Sequence, residues 1–292
     1  MLQQLLLNGI VAGSIYALIA LGFALIYRTV RFFHFAHGAI YTAGAYLAYS
    51  LTTQFQVNIA VAFLCGALIS GVLGVALDRG LYRPLRRERA PDLVFLIVSI
   101  GAFIALQNLV QLIYGAGIRI LRAGDVEEGH RVLGAVITDV QLLILIVAFA
   151  AAMALSLLVQ HTKLGKAIRA VSDDAVAAAV VGIDRERIIA AAIFLGSVMA
   201  GLAGALLALE TNLQPNMGLA AILKGIVASI IGGIGSIPAA ILGGLLLGMA
   251  ENVGIWKIDS AWKDTVSYVF LVGFLLARPG GILGVPVERM RI

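Results

Sequence analysis

Charge is scarce in this sequence. Of its 292 residues only 13% are Asp, Glu, Lys or Arg, roughly half the share of about 25% found in soluble globular domains. Cysteine is scarcer still. The single Cys65 lies in an apolar run, which excludes an intramolecular disulfide and any cysteine-rich metal site. Catalytic signatures are missing as well. There is no Gly-x-x-x-x-Gly-Lys-Ser/Thr, since Gly165-Lys166 is followed by Ala167 and lacks the first glycine; there is no His-Glu-x-x-His and no Gly-x-Ser-x-Gly. The chain therefore has no Walker-type cradle for ATP and no catalytic constellation for an intramembrane enzyme. Acidic residues within the apolar runs are almost absent, with Glu210 and Glu251 near run ends and Lys224 the one basic exception, read as snorkelling. A proton- or sodium-coupled carrier usually needs ionisable groups inside the membrane.

What is present is apolar. Hydrophobic residues make up 61% of the chain and the mean hydropathy is +1.01, values of a polytopic membrane protein. Charge-free runs cover 1–27, 32–77 (apart from two histidines), 93–118, 140–160, 188–209, 225–250 and 265–277. The second is long enough for two helices, with Gln54, Gln56 and Asn58 as the polar turn between them. At about 20 residues per span these runs predict about eight or nine helices, some interrupted. The first run lacks a basic n-region and is too long for a signal peptide, so it is read as a retained span. The fold class expected is an all-α transmembrane bundle forming one domain over 1–292.

The net charge of +5 bears on membrane orientation and lipid contact rather than on nucleic acid. Arg28 and Arg31; Arg79, Arg83, Arg86, Arg87 and Arg89; Lys163, Lys166, Arg169, Arg185 and Arg187; and Arg278, Arg289 and Arg291 together hold 15 of the 21 basic residues. The positive-inside rule places these segments in the cytoplasm, with the N-terminus outside and the C-terminus inside. Glycines at helix-contact spacing, Gly9 with Gly13, Gly244 with Gly248, and Gly196, Gly201 and Gly204, let backbones approach closely in lipid.

Three segments break the pattern. In 31–38, His34 and His37 are three apart and share a helix face; with no Cys, Asp or Glu near them a metal site is not expected. They read either as polar caps and helix-to-helix hydrogen bonds or, with Phe35 and Gly38, as lining of a transport path. In 230–238, Gly232, Gly233, Gly235 and Pro238 interrupt a run long enough to span, which reads either as broken helix at a transport site or as a tight turn between two helices at the cytoplasmic surface. In the cytoplasmic segment 162–187, Ser172 or Asp173 caps a short alanine-rich helix that Gly182 ends, and Asp184 caps the next. Its Ala and Val face needs a cover, for which a partner protein is the simplest choice.

The runs Asn8 to Gly22, Phe35-Ala-His-Gly38, Ala43-Gly-Ala-Tyr46, Leu164-Gly-Lys-Ala-Ile-Arg-Ala170, Val181-Gly-Ile183 and Leu223 to Glu251 resemble, nearly end to end, the H-type permeases of bacterial branched-chain amino-acid ABC importers. Against that pattern, His34 stands where such permeases often carry Asn, and Ala39 where many carry an acidic residue. The resemblance implies a permease in the bacterial inner membrane that is not an enzyme and binds no cofactor, ATP being used by partner subunits. It implies a heterodimer with a second permease, two cytoplasmic ATPases and an extracytoplasmic binding protein. It makes Lys163 to Gly182 the segment that docks on an ATPase, with Lys163, Gly165, Arg169, Asp173, Asp174, Ala178, Ala179 and Gly182 as candidates, and sets His34, Phe35, His37 and Gly38 beside the path. Relatives import urea, short amides and other amino acids as well. A stand-alone channel for a small neutral solute is the rival from another class, disfavoured by the cytoplasmic helix.

Overall fold

The computed structural model describes residues 1–121, 129–132 and 134–283; Arg122, Arg289 and Arg291 lie outside the described residues. The order of elements is α1 (Leu2–Val30), α2 (Ala36–Thr53), α3 (Ile59–Leu77), a π-helical turn (Asp78–Tyr82), α4 (Arg83–Arg87), α5 (Asp92–Tyr114), the hairpin β1 (His130–Val132) and β2 (Ala135–Ile137), α6 (Asp139–His161), α7 (Lys163–Asp173), α8 (Ala175–Val180), α9 (Arg185–Glu210), α10 (Met217–Gly232), α11 (Ile237–Gly254), a 3-10 turn (Ser260–Trp262) and α12 (Lys263–Ala277).

The fold is an all-α bundle, as expected. Six helices are long and apolar enough to cross a membrane: α1, α3 with its extension to Arg87, α5, α6, α9 and α11. Helix α2, and the shorter α10 and α12, complete nine helices of 15 residues or more among the described residues, the upper end of the expected count. The polar turn predicted at 54–58 is present, and Asn58 opens α3 by accepting a hydrogen bond from the Ala60 N–H. The capping box of Thr138 and Gln141 opens α6.

Glycine explains which helices meet. In lipid no hydrophobic force drives helices together, so close backbone approach supplies the packing. Gly9 and Gly13 of α1 face Gly244 and Gly248 of α11. A Cβ on Gly9 would lie 2.8 Å from Met249 Cα, and one on Gly13 2.9 Å from the Gly244 carbonyl oxygen. The two glycine pairs thus form the two sides of one interface. Helix α9 is a second hub, its Gly196 against Gly22 of α1 and its Gly204 against the Tyr41 carbonyl of α2. Helices α1 and α9 are mostly buried, whereas α5 and α6 are little buried within the chain.

Candidate functional site

The chain leaves α1 through Arg31, whose φ of 63° turns the backbone out of the helix, and enters α2 five residues later. Three side chains fix this elbow. Ser99 of α5 donates to the Phe33 carbonyl at 3.1 Å and accepts from the Phe35 N–H at 3.3 Å, and Tyr82 meets His34 Nδ1 at 3.0 Å. Phe32 packs between the Tyr82 and Phe95 rings, with centroids 5.1 and 5.0 Å away.

His34 and His37 are fully buried, their rings 6.0 Å apart. No third His, Cys, Asp or Glu joins them among the described residues. His37 points at Gly22 of α1, where a Cβ would sit 3.0 Å from its ring. Gly38 lies at a glycine crossing of α2 and α10: a Cβ there would strike the Gly218 carbonyl oxygen and lie 2.9 Å from Ile222 Cγ2. Gly38 and His34 thus make contacts between helices, whereas neither ring nitrogen of His37 has a hydrogen-bond partner among the described residues. Phe35 is half-buried, in an aromatic and aliphatic cluster with Phe23, Tyr27, Phe33 and Ile226 that is only partly covered.

Gly232, Gly233 and Gly235 form the turn joining α10 to α11. Gly233 and Gly235 have φ of 121° and 84°, conformations that glycine adopts readily. Pro238 falls in the first turn of α11, where its missing N–H is no loss. A Cβ on Gly235 would lie 3.6 Å from Arg28 Cβ, so the break sits at the bundle end that carries Arg28 and Arg31. Backbone after α12 completes it, with Ile282 and Leu283 donating to the Ile231 and Gly232 carbonyls at 2.9 Å.

The segment 162–187 is two helices where the sequence suggested one. Helix α7 runs through Ser172 and Asp173, because Ile168, Val171 and Ser172 pack inward. The cap of α8 is therefore Asp174 rather than Ser172 or Asp173, its carboxylate accepting from the Val176 and Ala177 N–H groups at 2.8 and 3.0 Å. Gly182 ends α8 with φ of 83°, and Asp184 caps α9, both as expected.

Helix α7 is held from both sides. Its first residue, Lys163, is exposed. Thr162 caps it by accepting from the Gly165 N–H at 3.0 Å, and a Cβ on Gly165 would collide with the Leu158 and Val159 carbonyls. Arg169 donates to the Val159 and Gln160 carbonyls at the end of α6. From α1, Arg31 donates to the Ser172 carbonyl at 2.7 Å and Arg28 pairs with Asp173 at 3.1 Å. Arg169 and Asp173 thus hold contacts inside the chain, the Asp173 side chain remaining largely exposed. Ala178 is buried, whereas Val176, Val180 and Val181 are 76%, 83% and 75% exposed, and Ala179 is exposed with them.

Two charge clusters were not legible as such. Arg86 reaches the buried Asp78 at 2.7 Å and Glu186 at 2.8 Å, tying the π-helical turn to the start of α9. Lys224, read from sequence as snorkelling, is instead paired with Glu251 at 3.2 Å and Asp264 at 2.9 Å. Tyr16 donates to Glu251 at 2.8 Å, and Ser267 also bonds that carboxylate. Glu251 is wholly buried, and a buried charge is tolerated only when paired and hydrogen-bonded. The signal that could have found this cluster was the isolation of Lys224 and Glu251 as ionisable residues within one charge-poor region.

Comparison with known proteins places the chain. The family model described as branched-chain amino acid transport system / permease component matches residues 5–275. The high-affinity branched-chain amino acid transport system permease protein LivH of Escherichia coli K12 is 36% identical over 305 residues, covering 99% of this chain and 97% of its own. BraD of Pseudomonas aeruginosa, with the same description, is 37% identical over 303 residues, covering 99% and 98%. The solved structure of PsaBC from Streptococcus pneumoniae in complex with Fab shares the fold, with a TM-score of 0.54 at 12% identity, over 94% of this chain and 90% of that one. The descriptions of the family model, LivH and BraD are of transport permeases, not enzymes, and the chain belongs to the branched-chain amino acid transport permease family.

Proposed function

We propose that the chain is one half of the permease of an ATP-driven importer of aliphatic, branched-chain amino acids in the bacterial inner membrane. It acts as a single permease unit, pairs with a second permease, is fed by an extracytoplasmic binding protein and docks on cytoplasmic ATPase subunits. It binds no nucleotide or other cofactor itself.

The observation that carries this reading is α8. A short helix exposes Val176, Ala179, Val180 and Val181 on a segment braced to α1 and α6. An exposed apolar patch of this kind marks an interaction surface. It lies at the end of the bundle that carries Arg28 and Arg31, which supports a cytoplasmic location for that end and an extracytoplasmic start for α1. Arg28 and Arg31 link the docking segment to the α1–α2 elbow, so motion of an ATPase would reach the bundle through them.

Co-purification tests the proposal. A second permease and an ATPase should accompany the tagged chain from membranes, and vesicles containing the assembly should accumulate leucine only with ATP. A chain that purifies alone and passes small neutral solutes without ATP is a facilitator instead.

A further inference from the structure

At the end of the bundle opposite Arg28, the loops after α5 and α9 are stapled together. Arg119 and Leu213 exchange both backbone hydrogen bonds, at 3.0 and 2.8 Å, and Gly115, with φ of 81°, turns the chain out of α5. Arg119 also donates to the Tyr114 carbonyl at 2.8 Å, while the Tyr114 hydroxyl bonds Ser50 at 2.6 Å. Between the loops lies a groove of about 340 Å³ lined by Gln111, Ala116, Ile118, Gln214, Pro215 and Asn216. A wider groove along the exposed face of α5 shares Gln111 and adds Asn108. The Tyr46 ring packs against that of Tyr114 with centroids 4.7 Å apart and planes tilted by 47°, and the buried Tyr46 hydroxyl has no hydrogen-bond partner among the described residues.

The lining has a specific chemistry. Gln111, Gln214 and Asn216 are exposed, and each side-chain amide offers both donors and an acceptor. Among the described residues no charged side chain lines the groove. Uncharged amides suit a ligand that carries a carboxylate and an ammonium together, whereas a net anion or cation would call for a side chain of opposite charge. Ala116, Ile118 and Pro215 supply apolar contact for an aliphatic side chain. The volume is near the lower end of the range of about 300–1,000 Å³ typical of ligand sites, which suits a free amino acid rather than a peptide.

We propose that this groove is a binding site for the free zwitterion of an aliphatic amino acid, receiving it before it crosses the membrane. The inference rests on the reading above that such amino acids are the cargo. The test uses the complete transporter in vesicles, with Ile118→Cys as reporter in a Cys65→Ser background and an impermeant maleimide. Leucine at about ten times its half-protecting concentration should slow labelling about tenfold. Isovalerate and isoamylamine, which each lack one charged end, should not, and Gln111→Leu with Gln214→Leu should remove the protection. Labelling unaffected by leucine, slowed equally by the singly charged analogues, or slowed only when the binding protein is added overturns the proposal, the last because the groove would then be that protein's footprint. ATP-driven leucine uptake is measured in the same vesicles. Uptake without protection overturns the groove alone, and absence of uptake overturns the cargo assignment.

Discussion

The Arg31 guanidinium donates a 2.7 Å hydrogen bond to the Ser172 carbonyl, so the residue that ends α1 also closes the last turn of α7. A cation at a helix C-terminus is worth about 0.3–1 kcal/mol where, as for Arg31, the side chain is exposed, and the pair Arg28–Asp173 is worth about 0 to 1 kcal/mol.

Arg31→Ala is therefore expected to leave the ATPase attached and hydrolysing while uptake per ATP falls about twofold to fivefold. Arg31→Lys should recover part of the loss, and Asp173→Asn should change little. Parallel measurement of phosphate release and leucine accumulation checks this, and loss of ATPase association in Arg31→Ala would make the contact one of assembly only.

The phase of α8 separates two neighbouring alanines. Ala179→Trp adds bulk on the exposed face and should displace the ATPase, read as its loss from the purified complex. Ala178→Trp meets the bundle, and overpacking there costs about 1–3 kcal/mol, read as a lower Tm of the chain itself. An Ala179→Trp complex that stays intact and active would place the docking surface elsewhere, most simply on the basic loop 79–89.

Gly38→Leu is expected to disrupt the crossing of α2 over α10, since even a Cβ would strike Gly218. The packing predicts loss of folded protein, measured by size-exclusion chromatography in detergent. A monodisperse, stable Gly38→Leu chain would show that the crossing can open.

Glu251→Leu strands Lys224 inside the bundle. Removing one partner of a buried ion pair costs about 3–5 kcal/mol, while replacing the whole group with apolar residues is often neutral. Glu251→Leu should lower the Tm sharply, and adding Lys224→Met should recover most of it. Equal Tm values for the single variant and the parent would mean that Asp264 suffices as counter-ion.

The bundle was readable from sequence because its rule is one-dimensional: charge-free runs of sufficient length become helices, and Gln54 to Asn58, Gly182 and Asp184 mark real ends. The pairing of Gly9 and Gly13 with Gly244 and Gly248 was not readable, because spacing along one helix says nothing about which helix answers it. The same limit hid the Lys224 cluster, whose members lie on α1, α10, α11 and α12. His34 and His37 show the converse. A polar pair in an apolar run stands out in the sequence, yet the elbow that holds it depends on Tyr82 and Ser99, residues that looked ordinary. The end of α7 was misjudged because Ser172 and Asp173 are good caps in isolation, and only the inward packing of Val171 carries the helix past them.

The glycine interface between α1 and α11 also has a temporal side. Some 235 residues separate Gly9 from Gly244, and at about 5–20 residues per second the ribosome needs roughly 10 to 50 s to make that stretch. Throughout that interval α1 waits in the bilayer with its glycine face unmatched. A nascent chain thus carries the unmatched glycine face of its first helix until α11 arrives.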